Sequence, residues 1–219
     1  MTRTKARPET LNHEVIARAA LEVLARDGPL GLSFRRVAEV LGTYHVIVYR
    51  RCGSFEGLLD LCADHIAADF PSVSGTLTWE AATEARFQAV YDMWAAHSDL
   101  VVLMRGRAWV GSNMMTHFYE PAYRSLIEAG LSVAAAQELF SVLYRYTMGS
   151  VIAIAANTWD PGIGPEAAAR VGGDLVPTVE IVNREVDISD MRSIFRNTVR
   201  KLIATFGTQW LDENARASE

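Results

Sequence analysis

Between Leu41 and Phe55 the chain reads LGTYHVIVYRRCGSF, and two glycines decide what that stretch can become. Gly42 and Gly53 enclose ten residues. A helix between two such breaks has room for little more than two turns. Upstream, Ser33 suits a helix N-cap, and Val37, Ala38 and Leu41 make one apolar face behind it. Two short helices joined by a tight glycine turn are the layout of a helix-turn-helix. The second helix has little core of its own. Val46 and Ile47, with Tyr49, are its inward-facing candidates, and the large polar-tipped residues beside them point outward.

The same punctuation runs along the chain. Residues 1–10 are polar and basic and read as a flexible arm. From Leu11, the residues Val15, Ala19 and Val23 recur at helical spacing beside Ile16, Ala20 and Leu24. That helix stops at Arg26-Asp27-Gly28-Pro29, where glycine supplies a left-handed cap and proline bars continuation. Ser54 can cap a further helix from Phe55 to Asp69, and Pro71 closes it. Residues 11–70 thus form one unit of four helices. Beyond it the spacing predicts helices over Trp79–His97, Leu100–Gly111, Met114–Ala129, Val133–Asn157 and Ser189–Leu211, with a break and a fresh cap at Gly130-Leu131-Ser132. Residues 160–187 read as mostly loop, with a short helix near 166–171 and strand-like alternation only at 179–186. The fold class is all-α, with a second helical domain over 71–212 and a frayed tail at 213–219.

Composition narrows the function. Half of the 219 residues are hydrophobic, enough for a substantial core. No apolar run reaches membrane-spanning length; Met148–Ala156 is the longest candidate. The opening MTRTKARPET has no apolar core and does not read as a secretory signal. Cys52 and Cys62 suggest neither a disulfide framework nor a zinc site, so a reducing cytoplasm is the inference. The net charge is −5, yet residues 1–56 hold nine Lys and Arg against six Asp and Glu, and the remainder twelve against twenty. A basic end on an acidic chain points to a local polyanion contact.

LNHEVIARAALEVLARDGPLGLSFRRVAEVLG, the short Tyr-bearing helix and LLDLCADHI together resemble the tetracycline-repressor (TetR) family of transcriptional regulators. The likeness is specific over Leu11–Ile66 and weaker beyond Pro71, where LSVAAAQELFSVLYRYTMGSVIAIA is similar to that family's dimer-forming helix. It implies an all-helical homodimer joined through residues 133–157 and 189–211. It also implies a double-stranded palindromic operator as partner, and a small effector in the C-terminal domain that alters the spacing of two N-terminal readers. In such a reader the second helix enters the major groove by its N-terminal end while flanking groups hold phosphates. The residues in those places are Ser33, Arg35, Arg36, Thr43, Tyr44, His45, Tyr49, Arg50 and Arg51. Three positions depart from the family pattern. Tyr44 and His45 stand where small residues are usual, Arg50-Arg51-Cys52 replaces an aromatic-His-Phe run, and Phe55 replaces the Lys that usually opens the fourth helix. Removing that lysine deletes a phosphate contact.

For the effector, the C-terminal domain offers Trp94, His97, Arg105, Trp109, Asn113, His117, Tyr144 and Met148, with Tyr146 and Trp159 nearby. Aromatic rings and methionine with a few polar groups are how small-molecule pockets are lined, which suggests an aromatic or polycyclic ligand. Core packing competes with that role for each ring, and a surface salt bridge competes for Arg105 and Arg107. Neither GxSxG nor GxGxxG occurs, no two-His metal spacing occurs, and the five histidines are scattered. No catalytic residue, metal or cofactor is expected. The alternative reading is a TetR-like scaffold that has lost DNA binding and serves as an enzyme or small-molecule-binding protein.

Overall fold

A computed structural model describes residues 11–73, 75–104, 111–155, 170, 176–185 and 190–217. The described residues form helices α1 (His13–Asp27), α2 (Phe34–Leu41), α3 (His45–Cys52), α4 (Phe55–Ala67), α5 (Trp79–Ala95) and α6 (Ser98–Met104). After these come α7 (Ser112–Met114), a π-helical turn (Met115–Tyr119), α8 (Glu120–Glu128), α9 (Val133–Ala155), α10 (Pro177–Glu185) and α11 (Met191–Ala217). No strand occurs among the described residues, and no described helix is long and apolar enough to cross a membrane.

Local chemistry sets the first four helices. The Asn12 side chain accepts from the Val15 N–H at 2.9 Å, Ser33 from Arg36 and Ser54 from Gly57, each satisfying an orphan donor of a first turn. Gly42, at φ 63°, ends α2 in the left-handed region, and its N–H turns back to the Ala38 and Glu39 carbonyls. α1 packs on α4 and α2, burying Ile16, Ala20 and Val23 against Val37, Val48, Leu58 and Cys62.

The inward face of α3 differs from the sequence expectation. Val48 is fully buried, whereas Val46 and Tyr49 are about half exposed. A two-turn helix with three consecutive β-branched residues does not fix its own phase. Its neighbours do: the Phe34 ring of α2 meets Tyr49 edge-on at 5.5 Å and Phe55 of α4 at 6.3 Å. Phe34 therefore ties α2, α3 and α4 together, and Phe55 stands where it does as a packing residue.

The C-terminal helices layer around α5, which packs on α9, α11 and α8. Phe87 of α5 lies edge-on to Phe118 at 5.5 Å, and Phe195 of α11 stacks on Tyr91 at 4.2 Å. α5 and α11 run antiparallel with their register marked at two places, Arg192 on Asp92 and Arg200 on Glu84, each a two-pronged ion pair. These pairs are exposed and contribute little energy. The apolar core is continuous from Ile16 to Ile203, so the boundary near residue 70 divides the chain and not the packing.

Three sequence expectations change. The helix expected over Met114–Ala129 is interrupted by the π turn at Met115–Tyr119. Pro121 follows; it has no N–H to donate to the residue 117 carbonyl, and its ring crowds that group. Residues 179–185 of the strand-like stretch fall within α10, which begins at Pro177, a first-turn position where a missing N–H costs nothing. α11 runs on through Ala217, past the expected end at Leu211. The arm at 1–10, all but residue 170 of the short helix expected near 166–171, and most of the loop at 160–187 lie outside the described residues, as do residues 105–110 and 156–157.

Candidate functional site

α2 and α3, packed against each other, carry the residues singled out at the N-terminal end. Tyr44 is the N-cap residue of α3 and is 59% exposed; His45 follows it, also exposed. Thr43 precedes them, half-buried in the turn. Tyr49, Arg50 and Arg51 are exposed at the far end of the same helix. Ser33 is occupied as the cap of α2, and Arg35 and Arg36 stand in that helix's first turn with most of their side chains in solvent. Both guanidinium groups face Glu39, at 3.3 and 3.7 Å. A carboxylate shared by two arginines holds them in place and is readily exchanged for a phosphate at this exposure. Four arginines, two tyrosines and a histidine, all exposed on two adjacent short helices, are the residue types that meet a phosphate backbone and a groove.

α4 links this helix pair to the rest of the molecule, through a contact that the sequence does not announce. The Asp64 carboxylate, on α4, accepts from the Asn113 backbone N–H at 2.8 Å and the Ser112 hydroxyl at 3.2 Å. The Asn113 side-chain amide donates to the Asp64 carbonyl at 3.0 Å. Asp64 thus caps α7 from another helix. Gly111 at the cap position has no side chain, and a Cβ there would collide with the Asp64 carboxylate. Three residues along α4, the Ala67 carbonyl meets Nδ1 of His117 at 3.3 Å, inside the π turn. The tail of α4 is therefore held by residues 112–117 at two points.

The effector candidates divide. Trp94 is fully buried in the core, Met148 packs against it, and Tyr144 joins the rings of Tyr119 and Phe140, both at 5.8 Å. Burial, with Tyr119 beside it, pushes the Tyr144 phenol well above its ordinary range, so it stays protonated. His97, Asn113 and His117 line cavities instead. His97 shares a cleft of about 490 Å³ with Leu21, His65, Phe70 and Met93, where burial holds its imidazole below the usual 6.5. Asn113 borders a groove of about 610 Å³ between α1 and α4, but its polar groups are engaged by Asp64. His117 lines a cavity of about 290 Å³ behind Phe70 and Val73. Arg105, Arg107, Trp109 and Trp159 lie outside the described residues.

Arg86 was absent from the sequence candidates. It lines the His117 cavity and also a neighbouring one of about 450 Å³ bordered by Trp79 and Arg124. One nitrogen of its guanidinium is buried with no hydrogen-bond partner. A signal existed: Arg86 lies three residues after Thr83 and four before Val90, on the buried face of α5. Burial also pushes the Cys52 thiol up to about 11 and Cys62 up to about 12, so neither is a nucleophile at neutral pH. Among the described residues no cluster of His, Cys, Asp or Glu is suited to a metal ion.

Comparison with known proteins supplies the context. The family model described as "Tetracyclin repressor-like, C-terminal domain" matches residues 70–170. The HTH-type transcriptional repressor DrrR1 of Streptomyces coeruleorubidus is 32% identical over 108 residues, a match covering 48% of this chain and 40% of that protein. Apo ActR from Streptomyces coelicolor superimposes with a TM-score of 0.77 at 21% identity, covering 97% of this chain and 99% of that one. ActR in complex with actinorhodin gives 0.74 at 21% identity, over 92% and 97% of the two chains. A TetR variant from Acinetobacter baumannii AYE in complex with minocycline gives 0.68 at 19%, over 92% and 99%. At these identities the solved structures share the fold.

Proposed function

We propose that this chain, whose residues 70–170 match the tetracycline-repressor-like C-terminal domain, is a tetracycline-repressor-family regulator: a ligand-responsive transcriptional repressor, binding a palindromic operator as a homodimer and released by a small aromatic or polycyclic effector. The observation that carries this reading is the exposure of Arg35, Arg36, Tyr44, His45, Tyr49, Arg50 and Arg51 on the two short helices α2 and α3. Tyr44 and His45 sit at the N-terminal end of α3 and are the base-edge readers. The arginines hold phosphates, and Arg50 and Arg51 make up for the lysine missing at Phe55.

Two such helix pairs act together when their reading helices lie about one DNA turn, roughly 34–36 Å, apart. The dimer joins α9 and α11 of both copies. Gly149 and Ile152 lie exposed on α9, and a side chain built at Gly149 would meet open space. ActR binds actinorhodin and the TetR variant binds minocycline, which supports a polycyclic effector here. Bound in the C-terminal domain, the effector reaches the reader through α4, whose tail is held by Ser112, Asn113 and His117. It needs only to prefer the wide-spaced state by a few kcal/mol.

The test is selection of random duplex DNA on the purified dimer at fixed salt, with an Arg50→Ala/Arg51→Ala double variant alongside. A palindrome should be enriched and should be weakened in the variant. No enrichment from a folded dimer at low salt would sink the regulator reading.

A further inference from the structure

Arg86 is a cation that the described fold does not use. Its neighbours on α5 are committed: Glu84 to Arg200, Asp92 to Arg192 and Gln88. Among the described residues Arg86 makes no such pair, and one of its guanidinium nitrogens is buried without a partner. Burial lowers its pKa, and no carboxylate among the described residues acts to raise it. A half-buried guanidinium in that position loses water without regaining hydrogen bonds. The cavity of about 290 Å³ on one side of it is walled by Phe70, Val73, Thr116, His117 and Pro121, and no acidic residue among the described residues lines it. The π turn that forms part of this wall is an irregularity found disproportionately at functional sites.

We infer that this cavity receives a small aromatic acid, with Arg86 binding the carboxylate and Phe70, Val73 and Pro121 taking the ring. The planar guanidinium matches a carboxylate with two parallel hydrogen bonds. A phosphate dianion fits less well, because it wants a second cation. The nearest candidate, Arg124, borders only the adjoining cavity and is bound to Glu120 at 2.6 Å. The walls also place the ligand against the α4 tail, since Phe70 follows α4 and His117 holds the Ala67 carbonyl. The inference rests on the small-molecule reading above and gives that molecule a charge.

Calorimetric titration of the full-length protein, without DNA, with benzoate, 2-naphthoate and anthracene-2-carboxylate tests this, each acid paired with its carboxamide. At least one acid should bind about tenfold or more tightly than its amide, the worth of one charge-assisted hydrogen bond. Arg86→Gln should abolish that preference by weakening the acid and not the amide, and Arg86→Lys should keep part of it. Circular dichroism of both variants checks folding. If every acid binds no better than its amide, or if folded Arg86→Gln keeps the preference, the assignment is overturned. Operator binding is measured separately. A palindrome without acid preference removes this site and spares the regulator; acid preference without a palindrome does the reverse.

Discussion

Arg86 has a consequence for stability as well as for binding. A buried guanidinium nitrogen without a partner destabilises the empty protein. Arg86→Met, similar in length and apolar, should therefore stabilise the ligand-free form, by about 1 kcal/mol. Urea denaturation reads this directly, and an unchanged or lower midpoint would contradict it. His97 gives a second residue-scale expectation. Its folded pKa lies below the unfolded 6.5 because of burial, so below pH 6.5 the unfolded chain binds more protons than the fold. Stability should be unaffected by His97 above that pH and should fall as pH drops through 6.5 toward the folded value. His97→Gln should flatten this part of the profile; an equal slope in both proteins would mean that other groups control it. The sequence marked His97 as an effector candidate, whereas its burial came only with the packing of α1, α4 and α5 around one cleft.

At the scale of elements, the attachment of α4 to α7 is the contact on which the proposed signal depends. Gly111→Ala keeps an ordinary backbone conformation, φ −123°, but sets a methyl group against Asp64. The expected cost is about 1–3 kcal/mol from overpacking. Asp64→Ala leaves room yet strips the cap from α7, costing about 1 kcal/mol. Both should weaken the effector's ability to release DNA more than they weaken effector binding itself. Operator release titrated beside calorimetry would show this, and equal losses in the two would argue that α4 carries no signal. The cap joins residues 49 apart in the chain, so no local pattern could reveal it. By contrast the caps at Ser33, Ser54 and Ser132 each act within three residues, and all three were legible.

For the whole molecule, the proposed dimer and its DNA contact make quantitative demands. Ile152 is 39% exposed on α9 in the single chain. Ile152→Glu would bury a charge at the proposed interface and should yield a monomer in light scattering with the helical content retained. A dimer of normal stability would place the interface elsewhere. If Arg50 and Arg51 each hold a phosphate, the double Ala variant should flatten the salt dependence of operator affinity by about two units per protomer. A slope unchanged from wild type would leave both arginines outside the contact.

The sequence alone determined the elements and their order at the N-terminal end. Glycines at 28, 42 and 53 have positive φ where their spacing demanded breaks, because a left-handed residue is a local requirement that few side chains meet. It also determined the helical class, since apolar periodicity and capping act within a turn or two. Tertiary structure decided which way the short helices face and which side chains are spent on packing. Val48 and not Val46 faces inward on α3, because Phe34 and its ring partners set a phase that two turns could not. Trp94 and Tyr144 went to the core, Asn113 to Asp64, and Arg86 to a cavity wall. Those outcomes depend on what other helices bring to the same place, and distance in the chain hides it.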